Sequence, residues 1–427
     1  MIQKFEKINK VSGTLSMLGD KSISHRALMI SALSKGKSYI ENLSSADDVK
    51  STMDCLRQLG IEINTHKKQL VVSGNGYKGF KKPVANLNAG NSGTTARLLS
   101  GILVTQDFHS TIKGDNSLSK RPMQRIIEPL KRMGAKINSS KNNTLPLMIY
   151  PAENLSPIIY QLKIASAQVK SAILFTGLHI KDKTEVIERY QTRNHTENLL
   201  NLDVEKTEGR IISRVSIKNY PDAQKYFIPG DISSAMYFVV LALLTKNSEL
   251  RINNISLNKT RTTVIDLLIK MGAKIETDIK GESQLEEYGN IIVKSSKLTN
   301  IKIDKGLVPQ IIDEVPILTV AGLFAEGEFK INNVSELRVK ESDRVKSICA
   351  NLSYLGLDVN ESEDSFSISG TIKKSNPEFK CFGDHRIAMA FSILSCLLVN
   401  GGRVKGFESV SISNPEFLYH LKNIIRY

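Results

Sequence analysis

The sequence predicts an α/β protein built from six β-α-β-α-β-β units of about 70 residues, three in each of two domains. Length is the first reason. A chain of 427 residues exceeds what one compact core organises, since domains run to about 100–200 residues. The other two reasons are a recurring helix end and a recurring helix start.

The helix end is a short amphipathic helix closing in Leu or Met, followed by Gly and then a strand. It occurs as Leu56-Arg57-Gln58-Leu59-Gly60, Leu130-Lys131-Arg132-Met133-Gly134, Leu268-Ile269-Lys270-Met271-Gly272 and Leu352-Ser353-Tyr354-Leu355-Gly356. Glycine accepts the positive φ of a helix C-cap without steric cost. The glycines lie 74, 138 and 84 residues apart, so the double-length middle gap predicts one further, degenerate copy. Ile61, Ile63 and Ile137 open the following strands by alternation.

The helix start is a small polar turn before about three apolar turns. It begins at Gly19-Asp20-Lys21-Ser22, Asn91-Ser92-Gly93-Thr94, Ser166-Ala167-Gln168, Gly230-Asp231-Ile232-Ser233, Asp313-Glu314-Val315-Pro316 and Gly383-Asp384-His385-Arg386. Asp, Ser and Asn accept from the free N–H groups of a first turn. The break between domains is expected near Ile228-Pro229-Gly230, where Pro-Gly interrupts a strand-to-helix crossing. The first domain is then residues 13–229 and the second is 1–12 with 230–427, the N-terminal strand crossing over.

Composition limits the function. The chain is 41% hydrophobic and 24% charged, which excludes wholesale disorder. No apolar run nears the ~18 residues of a membrane span. Charges at Lys4, Glu6 and Lys7 occupy the place of a signal peptide's apolar stretch, and Cys55, Cys349, Cys381 and Cys396 form neither a disulfide framework nor a zinc motif. These features predict a cytoplasmic protein with no metal. The formal charge of +15 is spread through every segment, with short pairs such as Lys67-Lys68 and Lys81-Lys82, and aromatic residues are only 6%. Nucleic-acid binding by basic runs interleaved with stacking residues is not indicated; a solvated Lys-rich surface accounts for much of the excess, a cleft that focuses field on a small polyanion is the other reading, and net charge alone does not choose between them.

The polar helix starts suggest where that anion sits. A helix N-terminus presents unpaired N–H groups and partial positive charge. Four of the starts add cations, hydroxyls or an amide: Lys21, Ser22 and Arg26; Thr94 and Arg97; Ser166, Gln168 and Lys170; His385 and Arg386. Capping alone explains a single Asp or Ser, but this coincidence points to a substrate with two or more phosphate or carboxylate groups. Two further stretches stand out. Arg121 directly precedes Pro122, which is expected to open a helix. The run from Glu336 to Arg344 is dense in both charges, and a solvated helix is its plain alternative.

Together these residues resemble the 5-enolpyruvylshikimate-3-phosphate synthase family over essentially the whole chain. The resemblance rests on Gly19-Asp20-Lys21-Ser22-Ile23-Ser24-His25-Arg26, Asn91-Ser92-Gly93-Thr94-Thr95-Ala96-Arg97, Lys120-Arg121-Pro122-Met123, Ser166-Ala167-Gln168-Val169-Lys170, Leu337-Arg338-Val339-Lys340-Glu341-Ser342-Asp343-Arg344 and Gly383-Asp384-His385-Arg386. Arg193-Asn194-His195-Thr196-Glu197 and Asn258-Lys259-Thr260-Arg261 are similar to the family's second class. The resemblance implies a two-domain inside-out α/β barrel fold with the active site in the interdomain cleft. It also implies transfer of the enolpyruvyl group of phosphoenolpyruvate (PEP) to the 5-hydroxyl of shikimate 3-phosphate, by a monomer without cofactor or metal.

Carried over by position, the resemblance assigns Ser22, Arg26, Ser166, Gln168, Arg193 and Lys340 to shikimate 3-phosphate, with Lys21 and Asp313 touching it. It assigns Lys21, Gly93, Arg121, Gln168, Arg344 and Arg386 to PEP. Lys21, Asp313 and Glu341 are the implied proton-transfer groups. The plain alternatives are a helix cap for Asp313 and an exposed salt bridge to Arg338 or Arg344 for Glu341. His25 and His385 are expected to anchor their helix starts, and Asp48, Asp384 and Arg97 to support the site from behind. Two departures are notable: Leu18 stands where the first motif usually follows Pro, and the stretch Ile412-Ser413-Asn414-Pro415 lacks a Lys that some members carry. The sister family acting on UDP-N-acetylglucosamine usually shows Lys-Asn in the first motif and a loop Cys. Here Lys21 is followed by Ser22, and residues 116–120 contain no Cys. A non-catalytic polyanion binder would give Asp313 and Glu341 no role.

Overall fold

The computed structural model describes every residue except Lys68 and Tyr427, so the Lys67-Lys68 pair is described only at Lys67. Two compact units emerge: Leu18–Pro229 with Glu282–Glu286, and Met1–Met17 with Gly230–Gly281 and Glu287–Tyr427. The first boundary falls after Met17 rather than at residue 12. The reason is pairing: Lys10–Ser16 lies parallel to Glu249–Ser256 through Ser12–Ser16 and antiparallel to Ile425–Arg426. The N-terminal strand expected to cross over is instead two strands, Ile2–Phe5 and Lys10–Ser16, in different sheets.

In the unit of Leu18–Pro229 three repeats follow one plan. A leading strand runs parallel to its neighbour, a long buried helix connects them, and a second helix leads into an antiparallel hairpin. The second repeat places Leu87–Asn88 beside Ser110–Lys113, with Lys136–Asn138 and Leu147–Tyr150 as its hairpin. The third does the same with Ile159–Gln161, Thr184–Glu188, Asp203–Thr207 and Arg210–Val215. The first repeat borrows its leading strand from the unit's end, since Lys225–Phe227 pairs with Tyr39–Glu41.

The other unit closes on itself in the same way. Lys10–Ser16 leads its first repeat, ahead of helix Ile232–Leu244, and Ile2–Phe5 pairs with Gly402–Lys405 in its last. Phe329–Asn332, Asp358–Glu361 and Ser365–Ser369 form the middle sheet. Each unit has its own hydrophobic core, contributed mainly by the long helices. Helix Ile232–Leu244 is apolar almost all round and buried along nearly its whole length, as a helix enclosed on every side must be.

The helix ends follow the sequence pattern. Gly60, Gly134, Gly272 and Gly356 take φ of 84°, 98°, 104° and 85°. The degenerate copy is Leu199-Leu200-Asn201, where Asn201 adopts φ 47° after the short helix His195–Leu199. Asn is the commonest substitute for Gly in this conformation because its amide bonds locally. Pro122 does not open a helix: it precedes Met123, the N-cap of Gln124–Arg132. The absence of Pro at position 18 is offset at the crossing by the Asp20 N–H donating to Pro229 O at 2.7 Å and Asn42 Nδ2 donating to Ile228 O at 2.9 Å.

Candidate functional site

Three helix starts build the polar surface of the unit Leu18–Pro229. Asp20 caps Lys21–Leu33 by accepting from Ile23 N at 3.0 Å, Ser92 caps Gly93–Leu103 through Thr95 N at 3.1 Å, and Ser166 caps Ala167–Gly177 through Val169 N at 3.4 Å. The first two are locked together by a buried hydroxyl chain. His25 Nδ1 meets Thr52 Oγ1 at 2.7 Å, Thr52 meets Thr95 at 2.7 Å, and Thr95 donates to Ser92 Oγ at 2.8 Å. His25 thus anchors its helix. Burial, then the neighbouring Lys21 and Arg26 charges, push its pKa well below the ordinary histidine value.

Lys21, the first helical residue, pairs with Asp48 at 2.9 Å, both largely buried. Arg26 is buried among three elements: Nη1 donates to Ser22 O, Nε to Thr196 Oγ1 and Nη2 to Ser171 Oγ, each at 2.8 Å. Burial lowers its pKa to about 10. Arg193 Nη1 donates to Ser22 Oγ at 3.3 Å. Ser22, Arg26 and Arg193 therefore form one group.

A second group surrounds Gly93. Arg97 Nη1 donates to Gln168 Oε1 at 2.6 Å, and Gln168 Nε2 to Thr94 Oγ1 at 2.9 Å. Arg121 Nη2 donates to Asn91 Oδ1 at 2.7 Å. A Cβ on Gly93 would stand 3.1 Å from Arg97 Nη1 and 3.4 Å from Arg121 Nη1. A side chain at position 93 would therefore press on both guanidinium groups.

The other unit assembles carboxylates and arginines. Arg344, buried, donates from Nε to Asp384 Oδ2 at 2.8 Å, from Nη1 to Asp313 Oδ1 at 3.2 Å, and from Nη2 to Glu341 Oε2. Arg386 grips Asp313 twice, with Nη2 3.5 Å from Oδ2 and Nη1 donating to the backbone O at 3.1 Å. Burial alone would lower both arginine pKa values. For Arg344 the charges of Asp384, Glu341 and Asp313 outweigh it, and for Arg386 Asp313 leads, so both are held above the ordinary value. Lys340, partly buried, precedes Glu341 in a turn between the 3-10 helix Ser335–Val339 and the helix Arg344–Tyr354.

The plain alternatives fare differently for the two acids. Asp313 is not a cap: Glu314 stands at the N-cap of Val315–Leu323 and makes no capping bond with its side chain. The Glu314 carboxylate instead accepts from Ser233 Oγ and pairs with buried Arg261 at 3.5 Å, which fixes the helix start behind Asp313. Glu341 does pair with Arg344, but in a partly buried setting, its side chain 14% exposed and that of Arg344 1%. Arg338 turns away to Asp343 and Glu361. His385, the first residue of helix His385–Leu397, is buried. Asp384 caps that helix through Arg386 N at 2.9 Å while also holding Arg344, so one carboxylate sets the start of the helix and the aim of the arginine.

Lys170 is taken up by the protein's own carboxylates, although its place near a helix start suggested a substrate anion. It is buried between Glu188 and Glu197. That pairing, and the Arg261–Ser233–Glu314 cluster, were not read from the sequence. The available signal was a full charge at a position that helical periodicity assigns to the core. Lys405 ends the strand Gly402–Lys405 and is exposed. Among the described residues no three His, Cys, Asp or Glu side chains group as metal ligands, no helix is long and apolar enough to cross a membrane, and all four cysteines are buried and unpaired.

A family model described as EPSP synthase (3-phosphoshikimate 1-carboxyvinyltransferase) matches residues 5–421. The chain is 41% identical over 413 residues to a 3-phosphoshikimate 1-carboxyvinyltransferase of Petrotoga mobilis, covering 95% of each. It is 36% identical over 423 residues to the protein of the same name from Bacillus subtilis, covering 99% of each. Among solved structures, EPSP synthase from Acinetobacter baumannii superposes with a TM-score of 0.85 at 35% identity, covering 99% of this chain and 97% of that one. The enolpyruvyl transferase NikO from Streptomyces tendae, at 14% identity and a TM-score of 0.77 over 100% and 98%, shares the fold. The two-domain inside-out α/β fold expected from the sequence is the fold of this chain.

Proposed function

This chain belongs to the EPSP synthase family, and we propose that its residues carry out the transfer of the enolpyruvyl group from PEP to the 5-hydroxyl of shikimate 3-phosphate, with release of inorganic phosphate. The first step adds a proton to the PEP methylene carbon, joins the 5-oxygen to the adjacent carbon and removes the hydroxyl proton. The second step takes a proton back from the new methyl group as the phosphate leaves.

Ser22, Arg26, Ser166 and Arg193 hold shikimate 3-phosphate, with Gln168, Lys340, Lys21 and Asp313 in contact with it. The hydrogen bond between Arg193 and Ser22 supports placing these two on one anion. Lys21, Gly93, Arg121, Gln168, Arg344 and Arg386 hold PEP, where the planar forks of the arginines suit phosphate and carboxylate oxygens. Asp313 accepts the hydroxyl proton, and Glu341 and Lys21 share the remaining transfers. Both sets of residues serve this one reaction, which needs no metal or cofactor, and the enzyme works as a cytoplasmic monomer. Four unpaired buried cysteines support a reducing compartment.

The observation that carries the reading is the grip of Arg344 on both Asp313 and Glu341. An arginine that holds two proton-transfer groups can exchange them for a substrate carboxylate or phosphate, which frees both acids as the donor arrives. The test is phosphate release from PEP with shikimate 3-phosphate or UDP-N-acetylglucosamine as acceptor. Release with the first alone is expected, and release with the sugar nucleotide alone overturns the proposal.

A further inference from the structure

The segment that carries Arg193 is held at both ends by a single buried ammonium. Lys170 is the fourth residue of helix Ala167–Gly177. The fourth residues of the other α-helices with a side-chain cap are Ser24, Ala96, Ala235, Ser347 and Ala388. The repeat plan therefore has no need of a cation there. Lys170 Nζ lies 2.6 Å from Glu188 Oε2 and 2.6 Å from Glu197 Oε1, with all three side chains at most 3% exposed.

The two carboxylates bracket Arg193. Glu188 ends the strand Thr184–Glu188, and its Oε1 accepts from the Thr192 N–H at 3.2 Å and from the Thr192 hydroxyl. Glu197 lies in helix His195–Leu199 and also accepts from Ser213 Oγ at 3.1 Å. Burial alone would lower the Lys170 pKa, but Glu197 and Glu188 outweigh it and keep the pKa above the ordinary lysine value. A pocket edged by Gln191, Thr192 and Asn194 lies above the triad. Leu202, Val204, Ile211 and Leu285 form the cavity's other walls, so the bonds at Glu188 and Glu197 add to apolar packing in setting the segment's path.

We propose that Lys170 is a positioning residue for the acceptor substrate: by clamping Glu188 and Glu197 it fixes the backbone on both sides of Arg193 and aims that guanidinium at Ser22. The inference rests on the reading of Arg193 as a shikimate 3-phosphate contact. Lys170 is fully buried and reaches the substrate only through other side chains, of which Arg193 is the one bracketed by both carboxylates. Removing it alone strands two buried carboxylates, which threatens folding, so gentler variants carry the test.

The experiment compares Thr192→Val, Lys170→Met with Glu197→Gln, Arg193→Ala, and Thr192→Val combined with Arg193→Ala. Each is assayed with both substrates varied and melted thermally. Thr192→Val keeps the side-chain shape and deletes one bond to Glu188. It is expected to raise the KM for shikimate 3-phosphate about three- to tenfold and to leave the KM for PEP within about twofold. That rise is expected to vanish in the Arg193→Ala background, because coupled residues are not additive. The Lys170 double variant shifts the same KM further, and if it fails to fold, Thr192→Val decides alone. The inference is overturned if Arg193→Ala raises that KM while Thr192→Val leaves it unchanged, or if the two effects add in full. An Arg193→Ala protein with an unaltered KM for shikimate 3-phosphate overturns the role of Arg193 itself, and the inference with it.

Discussion

Glu341 and Arg344, three residues apart, form an ion pair just ahead of the helix Arg344–Tyr354, and the same guanidinium holds Asp313 at 3.2 Å. Replacing Glu341 by Gln preserves the shape and a hydrogen-bond acceptor for Arg344 while removing a proton carrier. Turnover of Glu341→Gln is expected to fall by about a hundredfold or more, since general acid–base groups contribute roughly 10²–10⁴-fold. The KM values should change little. Steady-state phosphate release measures both, and a fully active variant removes Glu341 from the mechanism.

Gly93 is expected to tolerate Ala structurally but not functionally. The new methyl meets Arg97 Nη1 at 3.1 Å and Arg121 Nη1 at 3.4 Å, both flexible side-chain ends. The guanidinium groups then shift by a few tenths of an ångström, where the donor anion is proposed to bind. Gly93→Ala should fold with an unchanged melting temperature and raise the KM for PEP by about tenfold, the loss of roughly one charge-assisted hydrogen bond. An unchanged KM would separate Gly93 from the donor site.

Acid stability follows from buried neutral histidines. His25, His179 and His420 all have pKa values lowered by burial, that of His179 to about 4. Because the folded pKa lies below the unfolded value near 6.5, the unfolded chain binds more protons as pH falls. The stabilisation is complete above about pH 6.5 and is lost as acid approaches the folded pKa values. Each such histidine adds a slope of up to about 1.4 kcal/mol per pH unit. Denaturant titrations from pH 7 to pH 5 should show falling stability, and His179→Gln should flatten that fall. An equal slope in the variant would exclude His179.

Asn201 tests the degenerate repeat. With φ at 47°, Asn201→Ala should cost about 1 kcal/mol, while Asn201→Gly should be neutral or slightly stabilising. Chemical denaturation of both variants measures this, and an Ala variant as stable as the Gly variant would contradict a conformational role.

Features fixed by local chemistry were legible in the sequence. Asp20, Ser92, Ser166, Asp231 and Asp384 all cap the helices expected of them, because capping depends on a few consecutive residues. Asp313-Glu314 misled by composition: Glu314 occupies the cap position, and its charge is drawn away to Arg261 across 53 residues of chain. Lys170 read as a first-turn cation because its register was visible and its burial was not. The two N-terminal strands could not be separated, since their partners lie hundreds of residues further along.

That distant pairing has a consequence for biosynthesis. Ile2–Phe5 leaves the ribosome some 400 residues before its partner Gly402–Lys405, a wait of roughly 20 s or more at ordinary elongation rates, and Lys10–Ser16 waits more than half as long for Glu249–Ser256. Through these intervals the two strands are unpaired edge material, the kind that recruits other chains. Lys4, Glu6, Lys7 and Lys10 crowd this stretch with charge, which keeps a waiting strand soluble. Uncharged replacements there should leave the finished enzyme nearly unaltered yet lower its yield from the cell.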